Sequence, residues 1–360
     1  MENRKIKIGI THGDINGIGY EVILKSLADN RLAEFCTPLL YGSPKVAAYH
    51  RKALELPQIP MHQIASAKDT KTDQINILDC TDEEVQVQLG VATGEAGKAA
   101  FQALERAIED LKNDQIDVLV TAPINKHTIQ SEKFNFPGHT EYLEKSAGEN
   151  EKSLMILLKD DLRVALVTGH IPLAEVPNDV TTEKIFEKLT LFNRSLKQDF
   201  GIGRPRIAVL SLNPHAGDNG LIGQEEENII TPAIKQAEAK GILAFGPYPA
   251  DGFFGSGSFD TFDGVLAMYH DQGPAPFKTI AMEEGVNFTA GLPFVRTSPA
   301  HGSAYDIAGQ NKASETSFRQ AIYTAIDIFR NRCSYKEANA NPLRKQFHDR
   351  GNDNEKLDLS

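Results

Sequence analysis

Three apolar runs end on a histidine: VALVTGH on His170, IAVLSLNPH on His215 and GVLAMYH on His270. In each, the imidazole is the first strongly coordinating side chain after a strand-like segment. The carboxyl ends of parallel strands border the ligand crevice of open α/β sheets, so residues far apart in sequence can converge there. Three imidazoles in such a crevice make a site for a divalent metal, most naturally zinc, with positions left open for substrate or water. Any one of the three alone reads more readily as a hydrogen-bonded residue closing a strand; the coincidence of three is what weakens that reading and brings in the metal. Two acids stand nearby. Asp271 follows His270 directly, and Asp251 ends AFGPYPAD. Each is either a turn former or a group that orients an imidazole, binds a substrate ammonium or moves a proton.

Other polar groups suit an anion. PGHT sets His139 and Thr140 ahead of EYLEKSAG, whose first amides would face a negative charge. Thr140 alone reads as an N-cap. Lys278, Asn287 and Arg296 would together suit a small substrate carrying phosphate and carboxylate. GDINGIG, residues 13–19, lies between strand-like KIKIGI and helix-like YEVILKSLAD, but Val22 stands where a Rossmann third glycine would fall, and no GK[ST] follows. It is a phosphate or cofactor loop of another kind, or a tight turn. HGSAYDIAG, residues 301–309, is by composition a loop, with Asp306 placed to accept hydrogen bonds.

The elements that must position these residues alternate: short β-branched runs, then helical patterns such as GEAGKAAFQALERAIEDLK, with Ala99, Leu104, Ala107, Ile108 and Leu111 on one face. This predicts an α/β fold with mostly parallel strands. At 360 residues the chain is long enough for two domains. The expected division is 1–135 with 275–340, against 136–274, with a polar tail at 345–360. The net charge is −11 and the 38 basic residues are scattered, which argues against nucleic acid. The absence of an 18-residue apolar run argues against a membrane span, and MENRKIKIGI lacks the apolar stretch of a signal peptide, so a cytoplasmic protein is expected. Cys36, Cys80 and Cys333 form no CxxC pair and are expected to be reduced thiols.

GDINGIGYE, PGHTEYL, TGHIPL, LNPHAGDNG, YHDQGPAPFK and GLPFVRTSPAHGSAYDIAG, in this order from about residue 5 to about residue 330, resemble the 4-hydroxythreonine-4-phosphate dehydrogenase family of pyridoxal phosphate biosynthesis. The resemblance implies two α/β/α domains with a cleft between them, isocitrate/isopropylmalate dehydrogenase-like and not a Rossmann dinucleotide fold. It implies NAD or NADP as cofactor, its adenosine part held by the loop of His301, Gly302, Ser303, Ala304, Asp306 and Gly309. It makes His170, His215 and His270 ligands of zinc, magnesium or cobalt, and His139, Thr140, Lys278, Asn287 and Arg296 substrate contacts. Asp251, Asp271 and Lys278 take the catalytic positions. It also implies a homodimer with shared active sites, His170 and His215 coming from one subunit and His270 from the other. The implied reaction oxidises 4-phosphooxy-L-threonine to 2-amino-3-oxo-4-phosphooxybutanoate, which decarboxylates to 3-amino-2-oxopropyl phosphate. The chain departs from the family pattern at Ile15 and Tyr20, where proline is usual. The rival readings are a sister dehydrogenase acting on a threonate or erythronate 4-phosphate, an acyltransferase of the phosphate acetyltransferase type needing neither metal nor dinucleotide, and a metal-binding protein without catalysis. The last leaves the anion-binding groups without a purpose.

Overall fold

Among the described residues, runs rich in Ile, Leu and Val become twelve strands, most of them buried on both faces as parallel sheets require. The structure is a computed structural model that describes residues 4–29, 31–81 and 85–341; the expected polar tail lies outside the described residues. The strands are β1 (Ile6–Thr11), β2 (Cys36–Tyr41), β3 (Met61–Ile64), β4 (Ile75–Leu78), β5 (Val118–Thr121), β6 (Leu154–Lys159), β7 (Leu162–Leu166), β8 (Arg206–Leu210), β9 (Leu243–Tyr248), β10 (Gly264–Ala267), β11 (Val286–Ala290) and β12 (Val295–Pro299). They form one sheet in the order β3-β4-β2-β1-β5-β12-β11-β6-β7-β10-β8-β9.

Two parallel wings flank an antiparallel centre. β12 pairs with β5 in parallel, whereas β11 runs antiparallel to both β12 and β6, and β6 to β7. From β7 outward, β10, β8 and β9 are parallel again. The chain builds one wing first and the other second. It then returns through β11 to lay β12 against β5, which brings residues from both halves to the centre.

The helices follow their sequence patterns. In Gly94–Lys112, Ala99, Leu104, Ala107, Ile108 and Leu111 are all buried, and the Thr93 hydroxyl accepts the Ala96 amide at 3.3 Å as an N-cap. The segment EEENIITPAIKQAEAKG, residues 225–241, is not one continuous α-helix: a π-turn over Glu226–Ile230 leads into the helix Thr231–Ala239. Pro232 has no amide to donate and restricts the backbone before it. Gly241, at φ +78°, ends that helix as its position predicts.

Candidate active site

β7 and β10 are adjacent and parallel, so their carboxyl ends deliver His170 and His270 to the same edge of the sheet. The pairing continues past the strands. The amides of Val167 and Thr168 donate to Ala267 and Met268 at 2.9 and 3.1 Å, and the Thr168 hydroxyl donates to Met268 at 2.8 Å. Gln272 ties the next strand in, accepting the Met268 amide at 2.7 Å and donating to the Ser211 carbonyl at 2.6 Å. On this frame the two imidazole rings lie 5.7 Å apart, centre to centre, tilted by 40°.

Each ring has a carboxylate at its Nδ1. Asp271 Oδ1 is 2.8 Å from His270 Nδ1, and Glu141 Oε1 is 3.6 Å from His170 Nδ1. The Lys126 ammonium donates to His170 Nε2 at 3.2 Å. Carboxylates behind imidazoles are the usual arrangement for presenting Nε2 to a metal. Two imidazoles on one tetrahedral ion at about 2.0–2.1 Å would have ring centres roughly 5 Å apart. The pair therefore fits a divalent cation in chemistry and spacing.

His215 is not with them. It sits beyond β8 in the turn Pro214–Gly217, exposed, with its own φ at +52°. The Glu226 carboxylate accepts the amides of Leu212 and Asn213 at 2.8 and 2.7 Å, just before this turn. Among the described residues, no group of three His, Cys, Asp or Glu side chains stands ready for a metal within the one chain. Asp251 is likewise exposed, on the helix Ala250–Gly255 beyond β9, and outside the pocket that His170 and His270 line; exposed Asp271 does not line that pocket either and touches it only through His270.

That pocket, about 270 Å³, is lined by His139, Thr140, His170, His270, Lys278, Asn287, Arg296, His301 and Gly302. Lys126 and Glu141 line it as well. Arg296 projects from β12 and is only 3% exposed. Its guanidinium donates to the Thr121 hydroxyl at 3.0 and 2.6 Å and to the Thr289 hydroxyl at 3.2 Å, and no described carboxylate forms an ion pair with it. Burial pushes its pKa down to about 9, against the opposing pull of Glu141. A buried cation without a counter-ion is costly, and an anionic ligand relieves the cost. His139 Nε2, His301 Nε2 and Asn287 Oδ1 are also buried without hydrogen-bond partners. Burial, then Arg296 and Lys126, hold His139 well below the usual imidazole range; burial and Lys278 lower His301. Both are neutral hydrogen-bonding groups at pH 7. Glu141 stays below the usual carboxylate range although its burial opposes this, because His170 and Lys126 favour its charge. A larger cavity, about 670 Å³, lies between helices Gly19–Leu27 and Pro44–Ala53 and strand β4, and none of the candidate residues lines it.

Of the glycine-rich loop of residues 301–309, His301 and Gly302 reach the pocket, while Ser303, Ala304, Asp306 and Gly309 lead away from it. Ala304 has φ +41° and opens a 3₁₀ turn over Tyr305–Ile307, with Asp306 exposed. Residues 13–19 bracket this loop. The Tyr305 hydroxyl donates to Asp14 at 2.7 Å, and the Ile18 amide to the Ser303 carbonyl at 3.0 Å. A Cβ on Gly17 would stand 2.6 Å from that carbonyl, so the close approach requires glycine. Asn16 accepts the Gln88 amide and donates to the Val91 carbonyl and the Thr93 hydroxyl. Ile15 and Tyr20 are buried at 1% and 0% exposure. Tyr20 stacks between His12 and His50, with ring centres 5.3 and 5.0 Å away, and its hydroxyl accepts the Ser43 amide at 3.1 Å. Packing thus takes over where prolines are usual.

Lys126, Glu141, Thr121 and Thr289 escaped the sequence reading. Lys126 follows β5 as the histidines follow β7 and β10, so the strand-end argument would have found it had lysine counted among the candidates. Glu141 lies two residues after His139 in the first turn of the helix His139–Ala147. The threonines carried no signal until Arg296 was seen on them.

The family model described as "Pyridoxal phosphate biosynthetic protein PdxA" matches residues 34–325. A 4-hydroxythreonine-4-phosphate dehydrogenase of Bacteroides thetaiotaomicron is 63% identical over 359 residues, covering 100% of this chain and 98% of the relative. A D-threonate 4-phosphate dehydrogenase of Cupriavidus necator is 39% identical over 325 residues, covering 89% of this chain and 96% of the relative. The crystal structure of 4-hydroxythreonine-4-phosphate dehydrogenase from Klebsiella pneumoniae superposes with a TM-score of 0.79 at 34% identity, covering 91% of this chain and 99% of that one.

Proposed function

The chain belongs to the PdxA family of pyridoxal phosphate biosynthetic proteins and is a dehydrogenase of that pathway, and from this premise we propose how its pocket works. The substrate is 4-phosphooxy-L-threonine, oxidised at its secondary alcohol by hydride transfer to NAD or NADP. The 2-amino-3-oxo-4-phosphooxybutanoate formed loses carbon dioxide to give 3-amino-2-oxopropyl phosphate. The observation that carries this reading is Arg296, a buried guanidinium without an ion pair, in the same pocket as two carboxylate-backed imidazoles.

In this reading Arg296, Lys278, Asn287, His139 and Thr140 bind the phosphate and carboxylate. His170 and His270 are the residues that would hold zinc, magnesium or cobalt, with Asp271 orienting His270. A divalent cation there supplies charge stabilisation for the developing alkoxide. Lys278, which lines the pocket, and Asp271, which stands beside it against His270, would handle the substrate's protons. The loop His301–Gly309 receives the dinucleotide, its shape held by residues 13–19. The protein acts in the cytoplasm as a homodimer, with lobes 1–135 plus 275–340 and 136–274. His215 and Asp251, outside the pocket of their own chain, are the residues a second subunit would contribute. This arrangement differs from the one the resemblance implies, in which His270 crosses over. It is supported by the proximity of His170 and His270 within one chain.

The test is the absorbance of reduced nicotinamide with 4-phosphooxythreonine, threonate 4-phosphate and erythronate 4-phosphate, each with and without a chelator. Reduction matched by carbon dioxide release from 4-phosphooxythreonine is expected. The D-threonate 4-phosphate activity named for the Cupriavidus necator relative is the second reading. Reduction from the threonate with little from 4-phosphooxythreonine would establish it and leave the pocket chemistry intact.

A further inference from the structure

Lys126 and Glu141 both engage His170, at opposite nitrogens. An ammonium can only donate, so the 3.2 Å contact makes His170 Nε2 the acceptor and puts the ring proton on Nδ1, facing Glu141 Oε1 at 3.6 Å. Nε2 is the nitrogen a metal would take. The Lys126 backbone is held in place: Asn125 Oδ1 accepts the amides of His127 and Thr128 at 2.9 and 3.1 Å, and the Lys126 carbonyl accepts from Gln130 at 2.8 Å. Helix Gly94–Lys112 presses on the same turn at Gly97, where a Cβ would stand 1.9 Å from the Thr128 carbonyl. Lys126 is exposed, so its side chain has room to swing away and free Nε2.

We propose that Lys126 is a placeholder cation, its ammonium occupying the metal-facing nitrogen of His170 until a divalent ion displaces it, and that Glu141 is the positioning residue that fixes the His170 tautomer for that exchange. The inference rests on the metal reading of His170 and His270. The two residues act with opposite sign: Lys126 competes with the metal, and Glu141 supports it. In the exchange the ammonium and the divalent ion trade places at one lone pair, and no bond to hydrogen breaks. Lys126 lines the same pocket as Arg296 and Lys278, so the ammonium freed from Nε2 would offer the incoming phosphate or carboxylate one additional positive partner.

The test is a zinc titration of the metal-stripped full chain against a chromophoric chelator, at one pH and without substrate or dinucleotide. Lys126→Met should bind zinc about tenfold more tightly than the parent, because a nearby positive charge and a competitor are both removed. Lys126→Arg should stay near the parent. Glu141→Gln should weaken binding by roughly ten- to a hundredfold, as loss of a carboxylate behind a ligating imidazole does. All three should keep the parent's circular dichroism and melting temperature. Equal or weaker zinc binding by folded Lys126→Met overturns the placeholder role, and unchanged binding by Glu141→Gln overturns the positioning role. Zinc binding that is insensitive to His170→Ala is a different failure, because it removes the metal reading itself.

Discussion

The pocket and the bracket beneath it both bury polar groups, and they treat them in opposite ways. In the bracket, Asp14 accepts from Tyr305 and from the Asn16 amide, and Asn16 uses its carbonyl and its amide; the flanking Glu21, whose Oε1 accepts from Lys25 and from the Ala313 amide, and His12 keep buried atoms without partners. In the pocket, Arg296 has only threonine hydroxyls, and His139, His301 and Asn287 each keep an atom without a partner. An unmet buried polar atom costs about 1–3 kcal/mol. Where such atoms gather around one space, a ligand that satisfies them recovers that cost. Where they are met, they fix the backbone. The difference separates an open polar pocket from scaffold in neighbouring stretches of the chain.

The largest effect that would break the contrast is at the imidazoles. His170→Ala or His270→Ala should lower turnover by about a thousandfold or more, as chelation of the parent should, with little change in melting temperature because both rings are partly exposed. Full activity of the chelated enzyme would remove the metal from the pocket. Mixing inactive chains sharpens the point. His215→Ala with His270→Ala should regain activity in heterodimers, whereas His170→Ala with His270→Ala should not if both rings serve one site from one chain. Recovery in the second mixture would mean that His270 crosses to the partner.

Arg296→Met comes next. It should lower kcat/KM for the phosphorylated substrate by about ten- to more than a hundredfold while the dinucleotide KM stays put. Its melting temperature should hold or rise, since an unpaired buried cation is removed. A collapse of stability would turn Arg296 into scaffold.

A change in the bracket should be milder and fall on the other ligand. Tyr305→Phe removes the contact with Asp14 and should raise the dinucleotide KM about three- to tenfold with kcat and substrate KM near the parent's. A change in substrate KM alone would join the two regions that are separated above.

The smallest effect concerns His12, which burial pushes down to about 4. The unfolded chain, with an ordinary imidazole near 6.5, binds more protons between these values, so stability is lost as pH falls through 6.5 towards 4 and is level above 7. His50 is shifted the same way, to about 4, again by burial. His12→Phe keeps a ring against Tyr20 and should reduce the fall in stability by about 1–2 kcal/mol at pH 5, read from melting curves against pH. An unchanged slope would mean that His12 already carries its proton in the folded state.

Much of this was legible in the residues alone. Strand-end placement put His170 and His270 at a crevice edge, and periodicity set the buried face of Gly94–Lys112, because strand period, helix period and N-caps such as Thr93 act over a few neighbours. The failed dinucleotide fingerprint at residues 13–19 was also visible, and the close approach to Ser303 explains what Gly17 does instead. Tertiary structure decided the rest. The pairing of β7 with β10, and the position of β8 one strand further out, put His270 beside His170 and left His215 exposed, though all three follow strands of the same kind. Arg296 meets Thr121 because β12 returns across most of the chain to lie on β5, and Lys126 meets His170 across 44 residues of sequence. Local pattern determines which way a side chain can point along its own element; which neighbours it then finds depends on strand order, and strand order is settled only when the apolar faces of the whole sheet are buried together.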